Sequence, residues 1–179
     1  MPKETKTNTL IAGCKSTIIP DGVTSIADNA FDGCEGLTYI NIPNSVNHIG
    51  NHAFSDCTDL SSIVIPNSVV SIGKEAFWNC DKLSSIIIPH GVKVIEEYVF
   101  WGCSSLSSVT IPSSVTTIEE GAFTFCTSLT SLSIPEGVIS IGHEAFWTCE
   151  SLTMVTIPKS VKYISETAFP LHTRIIYKD

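Results

Sequence analysis

Apolar residues recur along this chain with a fixed period of 23 residues. The period is marked by a column of prolines, which are Pro20, Pro43, Pro66, Pro89, Pro112, Pro135 and Pro158. Val follows each proline three residues later, Ile six residues later and Phe eleven residues later, and six of the seven units then add Cys and Leu. The unit is P-x-x-V-x-x-I-x-x-x-A-F-x-x-C-x-x-L-x-x-I-x-I. One unit is too short to bury these side chains alone, so we expect the units to stack into a solenoid with a continuous core.

Two hydrophobic periods within the unit predict its elements. The segment L-x-x-I-x-I ends in an alternation of β-branched residues, which predicts a short strand such as Tyr39 to Ile42. The proline that follows lacks an N–H and ends the strand. The segment A-F-x-x-C-x-x-L places its apolar residues on one helical face, which predicts a helix of a single turn or little more, and V-x-x-I predicts an extended or 3₁₀ stretch. Because connections between parallel strands are right-handed, we expect a right-handed solenoid with a parallel sheet.

The repeat organises residues 1–179 as a single domain. An atypical half-repeat spans 1–19, repeats begin at 20, 43, 66, 89, 112, 135 and 158, and a partial repeat runs to 179. At the ends Cys14 holds the Leu position and His172 the Cys position, while Ile175 to Tyr177 predict a last strand. The N-terminal half-repeat resembles an internal unit more than a cap. We therefore expect a segment of a larger repeat protein, or a short relative of one.

These units resemble the BspA-like leucine-rich repeat family, whose units follow LxxIxIPxxVxxIgxxAFxxCxx. The resemblance covers about residues 10–169. It implies a leucine-rich-repeat solenoid in a surface-exposed or secreted protein of a host-associated bacterium. It also implies a non-enzymatic module, since some family members are adhesins for extracellular-matrix proteins or other microbes.

Charge and composition narrow the classes of function. The net charge is -8 and the ten Lys and Arg residues never cluster, so nucleic acid is not an expected partner. No apolar run approaches the ~18 residues of a membrane span, so membrane insertion is not expected. Residues 1–9 are not a signal peptide, because no apolar segment follows their lysines. A cell-surface or secreted location therefore rests on the resemblance, and a cytoplasmic location is the alternative.

The sequence lacks the motifs of common catalytic and cofactor sites. G-x-S-x-G, G-x-x-x-x-G-K-[ST] and G-x-G-x-x-G do not occur, so we expect neither an enzyme nor a cofactor. The cysteines lie 20 or 23 residues apart rather than in close pairs, which argues against a metal site. Parallel side chains on adjacent strands hold their Cβ atoms farther apart than a disulfide prefers. We expect the six column cysteines, Cys34, Cys57, Cys80, Cys103, Cys126 and Cys149, to be buried free thiols; disulfides are the alternative.

Residues that point outward from the predicted strands form the first candidate protein-binding surface. One column contains Tyr39, Ser62, Ser85, Ser108, Ser131 and Met154, and the other contains Asn41, Val64, Ile87, Thr110, Ser133 and Thr156. These side chains are uncharged and mostly small. The pattern is compatible with a binding face, and equally with a hydroxyl-rich surface that suits a flat parallel sheet.

Aromatic and acidic residues form two further columns. Trp78, Trp101 and Trp147 each follow a repeat Phe, and Phe125 lies one residue out of that column. Partly exposed tryptophans are typical of interaction hot spots, although local packing would produce the same column. The acidic cluster contains Glu96, Glu97, Glu119, Glu120, His143 and Glu144. Stacked like charges repel, so we expect this edge to be solvated rather than to hold a cation.

The pattern as a whole predicts a protein-binding solenoid. By the family resemblance, the partner would be a host matrix protein, a host cell-surface protein or another microbial surface. The alternative is a structural spacer within a larger surface protein. A spacer would have interchangeable surfaces from repeat to repeat, whereas Tyr39, Ile87, Met154 and the tryptophans break that uniformity.

Overall fold

The computed structural model describes residues 3–4 and 8–178. These residues form a parallel-strand solenoid of about seven turns with the 23-residue repeat that the sequence predicts. Within the described residues every regular element is a strand, and no helix occurs. The predicted leucine-rich-repeat solenoid is therefore confirmed, but its helices are absent.

The first strand column contains the predicted L-x-x-I-x-I strands. Its members are Tyr39–Asn41, Ser62–Val64, Ser85–Ile87, Ser108–Thr110, Ser131–Ser133, Met154–Ile157 and Arg174–Tyr177. Paired strands are parallel, and Tyr39 lies opposite Ser62, one repeat away. The pairing is interrupted twice, after Ser62–Val64 and after Ser108–Thr110. The column is therefore three short sheets in series rather than one continuous sheet.

The V-x-x-I segments form a second strand column. Its members are Thr9–Ala12, Ser25–Ile26, His48–Ile49, Ser71–Ile72, Val94–Ile95, Thr117–Ile118, Ser140–Ile141 and Tyr163–Ile164. Every strand except Thr9–Ala12 is preceded by a turn in which the Val N–H donates to the carbonyl of the repeat proline, as from Val46 to Pro43 at 3.0 Å. The predicted extended stretch is therefore present, and it pairs from turn to turn except between Ser71–Ile72 and Val94–Ile95. At the start of the chain, Lys3–Glu4 pairs antiparallel with Thr9–Ala12.

The segment A-F-x-x-C-x-x-L forms consecutive turns instead of the predicted helix. In the first six repeats two residues have left-handed backbone, one before the Ala position and one before the Cys, for example Asn29 at φ 57° and Gly33 at φ 62°. Only three residues separate them, so a right-handed helix cannot extend. Alternate backbone N–H groups donate to the next turn, as from Phe31 to the Ala53 carbonyl at 2.8 Å, while those between them donate three residues back, as from Cys34 to the Phe31 carbonyl at 3.0 Å. Hydrogen bonds between turns thus replace those of a helix.

The core is a set of columns that run the length of the solenoid. Seven phenylalanine rings stack with centroid separations of 4.9–5.5 Å and nearly parallel planes, in the order Phe31, Phe54, Phe77, Phe100, Phe123, Phe146 and Phe169. All seven are buried among the Val, Ile, Ala and Leu columns. Each unit contributes the same side chains at the same repeat positions. One packing arrangement therefore fills the core in every turn.

Both ends of the solenoid are shortened. Leu10 pairs opposite Ile26, an offset of 16 residues instead of 23. The shorter turn brings Gly13 over the first ring of the stack, where an added Cβ would lie 2.0 Å from Phe31. At the other end Ile175 pairs opposite Val155, an offset of 20 residues, and the predicted last strand is present at Arg174–Tyr177. Thr9–Ala12 is followed directly by Ser25–Ile26, so the N-terminal turn has no strand of the first column, whereas the C-terminal turn keeps one.

Candidate binding surfaces

The outward positions of the first strand column are exposed, as alternation predicts. Four of the six three-residue strands or strand starts show an exposed, buried, exposed pattern, and Val109 alone is half-buried at a central position. The exposed set contains Tyr39, Ser62, Ser85, Ser108, Ser131, Met154, Asn41, Val64, Ile87, Thr110 and Ser133, while Thr156 is half-buried. We call this surface the strand face. It carries no formal charge at these positions, so little charge must be dehydrated when it is covered.

A first depression lies on the strand face where the pairing is interrupted after Ser62–Val64. Its volume is about 480 Å³. Ser62 and Ser85 supply hydroxyls to its lining, while Val64 and Ile87 supply apolar side chains. Val64 is 65% exposed and Ile87 is 69% exposed. Two large aliphatic side chains this exposed on neighbouring turns are apolar surface available to a partner.

A second depression lies at the other interruption of the column. Its volume is about 320 Å³, and its lining includes Ser108, Ser131, Ser133, Met154 and Thr156. Hydroxyl groups outnumber apolar groups here. The two depressions therefore give one face a more apolar half and a more polar half, which a uniform serine surface would not have.

The tryptophan column forms a compact aromatic surface. The rings of Trp78 and Trp101 stack at 4.0 Å, with 12° between their planes. Tyr98 meets Trp78 edge-on at 6.1 Å, and Phe125 meets Trp101 edge-on at 5.1 Å. Trp147 occupies the same column two turns beyond Trp101, and Thr124 holds the position between them. We call these five aromatic residues the aromatic ridge.

The ridge is partly exposed. Trp78 and Trp101 are half-buried, Phe125 is 41% exposed and Trp147 is 38% exposed. Phe125 reaches the ridge because its backbone is left-handed, at φ 62°. Tyr98 also has left-handed backbone, and sequence reasoning did not identify it as part of this surface. The sequence does distinguish Tyr98, because at the position before the Ala the other repeats have polar residues or Gly.

An acidic edge borders the ridge. It contains Glu75, Glu96, Glu97, Glu119, Glu120 and Glu144. The Tyr98 hydroxyl donates to the Glu120 carboxylate, and this bond raises the pKa of Tyr98 to about 12. Burial raises the pKa of the Glu96 carboxyl. The sequence treated the ridge and the acidic edge as separate columns, whereas the structure joins them through Tyr98.

Few cations accompany these carboxylates. Lys74 Nζ lies 2.8 Å from a Glu97 oxygen. His143 Nε2 lies 3.4 Å from Glu144 and His52 Nδ1 lies 3.6 Å from Glu75. Among residues 3–4 and 8–178, no group of three or more His, Cys, Asp or Glu side chains is arranged to hold a metal ion.

The cysteines are free thiols, as their spacing predicts. Five are buried, and their Sγ atoms donate to a phenylalanine carbonyl of the preceding turn at 3.1–3.3 Å; these are Cys57, Cys80, Cys103, Cys126 and Cys149. The expectation that Cys34 is also buried is wrong, because the shortened first turn leaves it only half covered. Cys14 is exposed.

Comparison with known proteins identifies the repeat. A family model described as a BspA-type leucine-rich repeat region matches residues 12–103 and 47–176, in six copies. The crystal structure of a leucine-rich repeat protein from T. pallidum is similar over 96% of this chain and 88% of that chain, at 31% identity and a TM-score of 0.82. A leucine-rich repeat protein from Eubacterium ventriosum matches 93% of this chain, at 29% identity and a TM-score of 0.84. This chain spans 46% of that protein.

Weaker similarities support the fold alone. A leucine-rich cell surface protein from Faecalibacterium prausnitzii is 24% identical over 99% of this chain and 74% of that chain, with a TM-score of 0.51. Among proteins of curated function, none is significantly similar. In the described part of the chain, no helix has the length and apolarity needed to cross a bilayer. The family match covers nearly all of the repeats, and the chain therefore belongs to the BspA-type leucine-rich repeat family.

Proposed function

We propose that this solenoid is a non-enzymatic protein-binding module that binds through its strand face. The observation that carries the proposal is the first depression, where Val64 and Ile87 expose apolar surface on an uncharged face. Burying aliphatic side chains of this kind is favourable by about 25 cal/mol per Å². The surrounding serine hydroxyls supply hydrogen bonds that give a partner orientation.

The contrast between core and surface supports binding over a spacer. The buried columns keep the same residue types from turn to turn, whereas the outward columns change from Tyr39 through serines to Met154. A spacer needs only the buried columns. The lining of both depressions contains no titratable side chain, which favours recognition over catalysis.

Adhesion at a bacterial surface is the setting that we propose. The Faecalibacterium prausnitzii protein of similar fold is a leucine-rich cell surface protein. The proposed partner is a host matrix protein, a host cell-surface protein or a protein on another microbe. An extended face built from repeated strands suits such partners, because it presents outward side chains over several turns.

The test is binding to immobilised matrix glycoproteins, host cells and microbial cells. The triple variant Ser85→Glu, Ser108→Glu and Ser131→Glu places three carboxylates on adjacent turns of the strand face. We expect it to abolish binding, because a partner would have to cover unpaired charges. Circular dichroism should show an unchanged fold, since all three side chains are exposed.

A matched control adds the same charge elsewhere. Asn47→Glu, Val70→Glu and Ile139→Glu alter exposed positions beside the second strand column. We expect this control to bind as the unmodified chain does. Failure of the unmodified chain to bind any of these surfaces would contradict adhesion and favour the spacer, and equal loss in both variants would remove the strand face as the site.

A further inference from the structure

We infer that the aromatic ridge and its acidic edge form a second docking surface, which takes a Lys- or Arg-rich segment of a protein. The inference rests on the proposed binding function in treating the ridge as a contact surface, and it adds the chemistry of the partner. The exposed aromatic area is the starting observation. Phe125 is 41% exposed and Trp147 is 38% exposed, although Phe and Trp side chains usually have most of their area buried.

Four rings of the ridge pack against one another before a partner arrives. Trp78 and Trp101 are held face to face, and Tyr98 and Phe125 close the two sides of the pair. The Phe125 N–H donates to the Trp147 carbonyl at 3.0 Å, which ties the ridge to the next turn. A preformed aromatic surface loses little conformational entropy on binding, so more of its contact energy appears as affinity.

The ridge continues into an apolar hollow at its C-terminal end. The hollow has a volume of about 200 Å³ and is lined by Trp147, Thr148, Pro170 and Leu171. Leu171 is 97% exposed. The aliphatic stems of Lys and Arg pack on surfaces of this kind while their charged ends stay at the polar border.

The negative charge of the acidic edge favours a cationic partner. Six carboxylates line the acidic edge, whereas Lys74 is already bonded to Glu97. Carboxylates on adjacent turns repel one another, and a cationic segment relieves that repulsion. Guanidinium and ammonium groups are also attracted to aromatic rings, most strongly to Trp. An anionic partner would meet repulsion along the whole edge.

The experiment is a fluorescence titration of the full chain with oligolysine and oligoarginine. Its only tryptophans are the three in the ridge, so the signal reports on this surface directly. Oligoglutamate of the same length and a neutral oligosaccharide are the comparison probes. We expect both basic peptides to change the tryptophan emission, with an affinity that falls as salt is added.

Two variants locate the binding. We expect Glu97→Gln with Glu120→Gln to weaken the peptides by about tenfold, and Trp78→Ala with Trp101→Ala to do so by a similar factor. The matched control is Asp21→Asn with Glu136→Gln, which removes the same net charge from exposed positions away from the ridge. We expect this control to bind normally.

Several results would overturn the inference. These are no response to either basic peptide, equal weakening in the Glu97 and Glu120 variant and its control, or tighter binding of oligoglutamate or the oligosaccharide. If the tryptophan variant fails to fold, the glutamine variant still decides. If the ridge variants still bind matrix glycoproteins, the strand-face proposal stands whatever the peptides show. The two proposals can therefore fail separately.

Discussion

Burial divides the seven cysteine thiols into three groups. The five buried thiols donate to phenylalanine carbonyls, and burial raises the pKa of Cys57, Cys103 and Cys149 to about 12. Cys34 is half-buried, and burial also raises its pKa. Cys14 is exposed, and hydrogen bonds from Ser16 and Thr17 lower its pKa to about 7. Thiol reactivity should therefore follow position in the stack, since the thiolate is the reactive form.

Thiol titration of the native chain tests this order. We expect one fast thiol, Cys14, whose labelling rate rises as pH increases through about 7, because the thiolate forms above its pKa. Cys34 should react more slowly, and all seven thiols should react after denaturation without reductant. Four or fewer thiols in the denatured chain would mean that disulfides exist. Fast labelling of Cys103 in the native chain would contradict its burial.

Hydrophobic periodicity predicts the strands of each repeat but not the bend between them. The strand Tyr39–Asn41 follows from β-branched alternation and the proline stop. The bend has apolar residues at helical spacing, yet left-handed residues before the Ala and the Cys prevent a helix. Gly33 and Asn79 were a usable signal for this backbone, because Gly and Asn tolerate it. Tyr98 and Phe125 gave no such signal, because only the hydrogen bonds between turns impose the conformation there.

The candidate surfaces could also be predicted only in part from the sequence. Outward strand positions and the tryptophan column follow from the period alone. The depressions do not, because they depend on where the strand pairing is interrupted, and the repeat is uniform across those points. The union of ridge and acidic edge depends on Tyr98, whose ring and hydroxyl contact different columns.

The phenylalanine stack gives an element-scale prediction. Phe100 packs between Phe77 and Phe123, whereas Phe169 stacks only on Phe146. We expect Phe100→Ala to lower the free energy of unfolding by about 3–5 kcal/mol, as large core truncations do. Phe169→Ala should lower it by less, because one face of its ring has no aromatic neighbour. Urea denaturation measures both, and equal losses would indicate a C-terminal end that is as firmly packed as the centre.

At the scale of the whole molecule, the repeat separates the residues of the core from those of the outer surface. The buried columns are shared by every turn, so side chains on the outside can change with little effect on the core. The strand face and the ridge use that freedom in different ways, since the first is uncharged and the second is bordered by carboxylates. One solenoid thereby offers two candidate surfaces of different chemistry, each built from residues of several turns.

The most direct test of the proposed function compares two pairs of exposed aliphatic residues. Val64 and Ile87 lie in the first depression, whereas Val70 and Ile139, at 55% and 50% exposure, lie beside the second strand column. The measurement is the affinity of each Val→Ser and Ile→Ser double variant for the matrix glycoprotein that the unmodified chain binds most tightly. We expect Val64→Ser with Ile87→Ser to weaken binding by about tenfold or more, and Val70→Ser with Ile139→Ser to leave it unchanged. Equal affinities for the two variants would contradict binding through the strand face.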